Sequence, residues 1–120
     1  VPARIIDPAE GRAALAAVRD GATDRATTAT TVRFLLQSLA AAVPGNSVEV
    51  RVPPFGAVQA VPGPRHTRGT PPNVVEMDAR TWIALATATL TWPEAVAAAR
   101  VIASGSRADL TDHLPVRLPD

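Results

Sequence analysis

A chain of 120 residues that is 47% hydrophobic is long enough for one compact domain, residues 1–120, and too short for two ordinary ones. Its formal charge is only +1 and aromatics make up 3%; the arginines alternate with acidic residues and never form a block, which argues against a nucleic-acid partner on electrostatic and stacking grounds. The absence of cysteine excludes disulfides and thiolate chemistry, and no apolar run nears the roughly 20 residues that span a bilayer, so the expectation is a cytoplasmic protein with no stable membrane insertion.

Asp7-Pro8-Ala9-Glu10 reads as a helix start, with Asp7 as cap and Pro8 at the first helical position. That helix buries Ala14, Leu15 and Val18 and stops near Asp20-Gly21. A second helix is predicted from Thr28 to Ala42, with Val32, Leu35, Leu36, Leu39 and Val43 on one stripe. Pro44-Gly45-Asn46 ends it.

From Ser47 the period changes to two. Val48, Val50 and Val52 point one way and Glu49 and Arg51 the other, as in a strand with one wet face. Pro53-Pro54 interrupts the ladder, and Phe55 to Val61 resumes as a second strand, with Val58 and Ala60 on one side. An antiparallel meander is the natural pairing. Pro62 to Pro72 is then expected as an ordered, proline-constrained loop or irregular edge strand, carrying Arg65, His66 and Arg68.

Asn73-Val-Val-Glu-Met77 reads as a strand leading into a helix from about Asp78 to Ala88, capped by Asp78 and burying Trp82, Ile83, Leu85 and Ala86. Thr91 and Glu94 have the spacing of a capping box and open another helix, with Val96 and Ala99 facing inward. Val101 to Ser104 is a short strand, Ser106 to Asp109 a last helical turn, and His113 is expected near the end of that helix. The alanines from Ala95 to Ala99 suit a tightly packed interface, and their small volume also hints at an interior cavity.

The chemistry-bearing residues form no reactive set. His66 and His113 lack any metal-ligand spacing, and Ser104, Ser106 and Thr70 lack a base and an orienting group. Glu76 and Asp78 straddle a strand-to-helix boundary and need not converge. Gly63, Gly69 and Gly105 do not make a phosphate loop. No metal, cofactor or catalytic residue is therefore expected. Arg65 and Arg68 beside His66 could meet an acidic headgroup, because the guanidinium forks onto carboxylate or phosphate.

The run Glu49-Val-Arg-Val-Pro-Pro-Phe-Gly-Ala-Val-Gln59, the run His66-Thr-Arg-Gly-Thr-Pro-Pro-Asn-Val-Val-Glu76 and the helix Asp78-Ala-Arg-Thr-Trp-Ile-Ala-Leu-Ala-Thr87 together resemble the sterol-carrier-like domain. Leu90 to Val96, Val101 to Gly105 and Ala108 to Leu114 extend the likeness, and Arg68-Gly-Thr-Pro-Pro-Asn73 looks closest to a small actinobacterial branch of that family. Where such domains usually place glycine, before the penultimate helix and before the last strand, this chain has Ala88 and Ala99 or Arg100.

The resemblance implies an α+β fold: a twisted, largely antiparallel sheet of about five strands, covered on one face by helices, with an apolar cavity between the layers. The activity it implies is non-catalytic binding or transfer of a hydrophobic small molecule, such as a lipid, fatty acyl chain or sterol-like ligand. The lining expected here is Leu35, Leu39, Val58, Trp82, Ile83, Leu85, Val96 and Val101, mostly apolar as a ligand pocket requires. Two other readings stay open. One is a protein-interaction or homodimerisation module with a filled cavity; the other is an accessory domain of a thiol-dependent isomerase-like system, whose helical bundle and histidines are missing here.

Overall fold

The computed structural model describes residues 4–63 and 73–120. Helix α1 (Pro8–Arg19) starts where Asp7 accepts from the backbone of Ala9 and Glu10, with Pro8 at the first position. Helix α2 (Arg25–Ala42) begins three residues earlier than expected. Asp24 caps it by accepting from the Thr27 backbone and hydroxyl at 3.0 and 2.8 Å.

Helix α2 is buried on more than the predicted stripe, because α1 covers the side that Val32, Leu35 and Leu39 do not. Phe34 is 2% exposed and its ring rests on Gly11, where an added Cβ would stand 2.2 Å from the ring. Glycine is thus required at that crossing by space. Two buried hydroxyls on α2 are satisfied within the helix, Thr31 by the Thr27 carbonyl and Ser38 by the Phe34 carbonyl.

The sheet is mixed and four-stranded, in the order β2-β1-β3-β4: β1 (Val48–Val52), β2 (Gly56–Ala60), β3 (Val74–Met77) and β4 (Val101–Ser104). β1 and β2 form the expected antiparallel pair across Pro53-Pro54. β1 and β3 run parallel, and β3 pairs antiparallel with β4. Among the described residues this is one strand fewer than expected; the edge strand considered for Pro62 to Pro72 falls mainly on residues 64–72, outside the described residues.

Register sorts the side chains by face. Val48, Val50, Val52, Val58, Ala60, Val75 and Met77 point to the helices and join the core with Val32, Leu35, Leu36, Leu39 and Trp82. Glu49, Arg51, Ala57, Gln59, Val74, Glu76, Ile102 and Ser104 alternate with them onto the other face. The sheet is therefore covered by helices on one side.

Helix α3 (Ala79–Ala86) follows β3 directly, capped by Asp78 on the Thr81 backbone at 2.8 Å. Helix α4 (Trp92–Ala97) has the predicted capping box: the Thr91 hydroxyl accepts from Glu94, and the Glu94 carboxylate accepts from the Thr91 backbone. Three helices end alike. After α1, α3 and α4 a residue with positive φ closes the last turn by two crossed backbone bonds, at Gly21 (+103°), Ala88 (+67°) and Ala99 (+55°).

The last helical turn expected at Ser106 to Asp109 does not form. The Asp109 carboxylate accepts from the Thr111 backbone two residues ahead, a local bond that competes with helix. A short 3-10 turn follows instead at Thr111–His113, so His113 sits in that turn. The tail then crosses α3, with the Val116 backbone donating to the Ala86 carbonyl at 3.0 Å and Leu110 and Val116 buried in the core.

Buried Asn73 and Ser47 tie several segments together. Asn73 donates to the Ser47 carbonyl at 2.7 Å and accepts from the Arg107 backbone at 2.8 Å. Ser47 donates from backbone and hydroxyl to the Val61 carbonyl, at 3.1 and 2.7 Å. Val61 holds a φ of +71°, rare for a β-branched residue. Its own backbone N–H is tied to the Val43 carbonyl at 2.8 Å, so the surroundings fix a conformation that the side chain disfavours.

Candidate functional site

The predicted lining residues come from five elements, and the structure gathers most of them. Leu35 and Leu39 of α2 and Trp82 of α3 expose no surface, and Leu85 is 1% exposed. Val58, Ile83 and Val101 are half-buried and pack against this cluster. Val96 stands apart at 51% exposure. In the six-residue helix α4 the inward residues are Trp92 and Ala95, three apart; Val96 and Ala99, expected to face inward, are turned to solvent.

Trp82 occupies the centre of the helix layer, and its indole N–H donates to the Val32 carbonyl of α2 at 3.3 Å. Because Leu35, Leu39 and Trp82 are wholly covered, no water-sized void touches them. The space between helices and sheet is filled at these three residues by side chains.

An apolar cleft lies beside this plug. It has a volume of about 230 Å³ between the α3–α4 connection and the tail, lined by Leu85, Ala88, Leu90, Trp92, Leu114 and Pro115 together with Thr91, Pro93 and Thr111. Leu85 is the member of the predicted set that reaches it. Trp92, Leu114 and Pro115 were not singled out from sequence. The signal for Trp92 was a large aromatic three residues before Ala95; that for the tail was the apolar series Leu110, Leu114, Val116 and Leu118.

The polar groups near the cleft are already engaged. The Thr91 hydroxyl and Glu94 bond each other at 2.8 Å, and the Thr91 backbone and hydroxyl bonds hold the Glu94 carboxyl below its usual range. Thr111 does the same for Asp109. Among the described residues no group of three His, Asp or Glu side chains gathers as a metal site would. Glu76 points to the outer face of the sheet and Asp78 caps α3, so the two do not converge as a pair. Arg65, His66 and Arg68, with Thr70, lie outside the described residues. The arrangement can hold apolar matter, its two hydroxyls being bonded to neighbouring carboxylates.

Comparison with known proteins adds the family. A family model described as a bacterial SCP ortholog matches residues 24–116, from the cap of α2 to the residue that bonds Ala86, so α1 lies outside the match. No curated protein matches the chain. With the matched span covering most of its length and the α+β arrangement in place, this chain belongs to the family of bacterial SCP orthologs, a sterol-carrier-like family.

Proposed function

We propose that this chain binds and carries a hydrophobic small molecule, a lipid, fatty acyl chain or sterol-like compound, without breaking a bond. The sterol-carrier-like family is a non-catalytic lipid-binding module. The observation that carries the proposal within this chain is the apolar cleft that opens onto Leu85 beside Trp82. Its volume of about 230 Å³ falls below the roughly 300–1,000 Å³ of drug-sized ligand sites. The cleft as it stands therefore suits the end of a chain, and a larger ligand requires side chains of the plug to yield.

On this reading Leu35, Leu39, Val58, Trp82, Ile83, Leu85 and Val101 form the wall that a ligand would meet after displacing packing. Val96, half exposed, stands outside that wall. Arg65, His66 and Arg68 stay in the proposal as the headgroup contact. The cytoplasmic setting rests on the cysteine-free composition, and the actinobacterial placement on Arg68 to Asn73. No helix among the described residues is long and apolar enough to cross a membrane.

The filled interior favours a second reading, a protein-interaction module that kept the fold and closed its cavity. Native mass spectrometry of freshly purified protein, followed by denaturation and lipid analysis, separates the two. A stoichiometric co-purifying acyl chain or sterol is expected. A clean unliganded mass, persisting after incubation with representative lipids, would transfer the assignment to the interaction module.

A further inference from the structure

Among the described residues no helix covers the second face of the sheet, and that face carries a pattern that is complementary to itself. Strand register sets out two rows across the four strands. One row reads Ala57, Arg51, Glu76, Ile102; the other reads Gln59, Glu49, Val74, Ser104. Rotation by half a turn about an axis along the strands, between β1 and β3, lays each row on its own reverse. Arg51 then faces Glu76 of the second copy, Ala57 faces Ile102, and Gln59 faces Ser104. Glu49 faces Val74, while its carboxylate is held by Arg51 of its own strand.

Three observations point the same way. Ile102 is 69% exposed, an apolar knob on an edge strand. The same rotation sends it to a shallow, open hollow around Ala57, lined by Arg51, Pro53, Pro54, Gly56 and Glu76. Among the described residues Glu76 makes no ion pair, which leaves its carboxylate available for a guanidinium from the facing sheet. We propose that this chain forms a two-fold homodimer by stacking the outer faces of its sheets, with Ile102 of each copy seated in the hollow at Ala57 of the other.

The geometry is that of an isologous interface, in which one patch meets itself and closes. Two sheets stacked roughly 10 Å apart and aligned within about 30° bring facing side chains into contact. A four-stranded face buries on the order of 1,000 Å² in total, at the lower limit for a specific interface, so dissociation in the micromolar range is expected. The surface is opposite the cleft at Leu85, and the dimer stands or falls independently of ligand binding.

Sedimentation of the full chain from about 1 to 500 µM tests it, with circular dichroism to confirm that each variant folds. Wild type is expected to pass from monomer to dimer across that range. Ile102→Arg and Glu76→Arg, both on the outer face, should each weaken association at least tenfold. Adding Arg51→Glu to Glu76→Arg exchanges the charges, and the double variant should regain most of the lost association. A wild-type chain that stays monomeric overturns the proposal. So does a dimer indifferent to Ile102→Arg and Glu76→Arg, which would place the contact elsewhere, or a charge exchange that restores nothing.

Discussion

Ala88 and Ala99 adopt φ values of +67° and +55°, a region that costs an L side chain about 1 kcal/mol or more and that glycine enters freely. Both positions close a helix by the same pair of crossed bonds that Gly21 makes after α1. The resemblance marked the two alanines as departures from glycine, but alanine is a good helix former and its own pattern gave no sign of a left-handed turn. Ala88→Gly and Ala99→Gly are each expected to stabilise the chain by about 1 kcal/mol, read as a higher urea midpoint at constant slope. Gly21→Ala should do the reverse: nothing lies within 4 Å of the added Cβ, so conformation is the whole cost. Equal midpoints for all three variants would show that these turns relax without cost.

The helices owe much of their definition to caps, and the caps make the fold sensitive to acid. Bonds from Thr27 and Thr81 hold the carboxyls of Asp24 and Asp78 below their ordinary value of 3.8, and bonds from Thr91 hold Glu94 below 4.5. Since each folded value lies under the unfolded one, this stabilisation is complete above the ordinary value and is lost as pH falls through the lowered one. The urea midpoint should hold from pH 7 to about 4.5 and decline below; Asp78→Asn, which still caps, should flatten part of the decline, and an unaltered acid limb would remove Asp78 from the account. At this scale the long periodic segments were legible and the short ones were not. The stripe of α2 and the alternation of β1 appear as read, whereas α4 has too few residues to reveal its inward face, and at Ser106 to Asp109 a carboxylate bonded ahead to Thr111 replaced a helical turn.

Across the whole molecule the layers meet at Trp82, which was legible as core from its place in an amphipathic helix. What the sequence could not convey is how completely neighbours from α2 and the sheet close around it, since that depends on crossings such as Gly11 on Phe34. Trp82→Ala should cost about 3–5 kcal/mol in a denaturation assay and, on the ligand reading, change retention of a bound lipid. Unchanged stability with unchanged retention would release Trp82 from both roles. The cleft was the least legible feature, because its walls come from the α3–α4 connection and the tail, two segments without a long-range sequence signature. The knot around Ser47 has a consequence of its own. Ser47 bonds the carbonyl of Val61, at the end of β2, and receives Asn73, at the start of β3, so the backbone leaves the sheet and re-enters it at one fixed point. Lengthening a segment whose ends are held together costs little, only about 0.6 kcal/mol for each doubling. The spacing between the end of β2 and the start of β3 is thus set by Ser47 and Asn73 rather than by the length of chain between them.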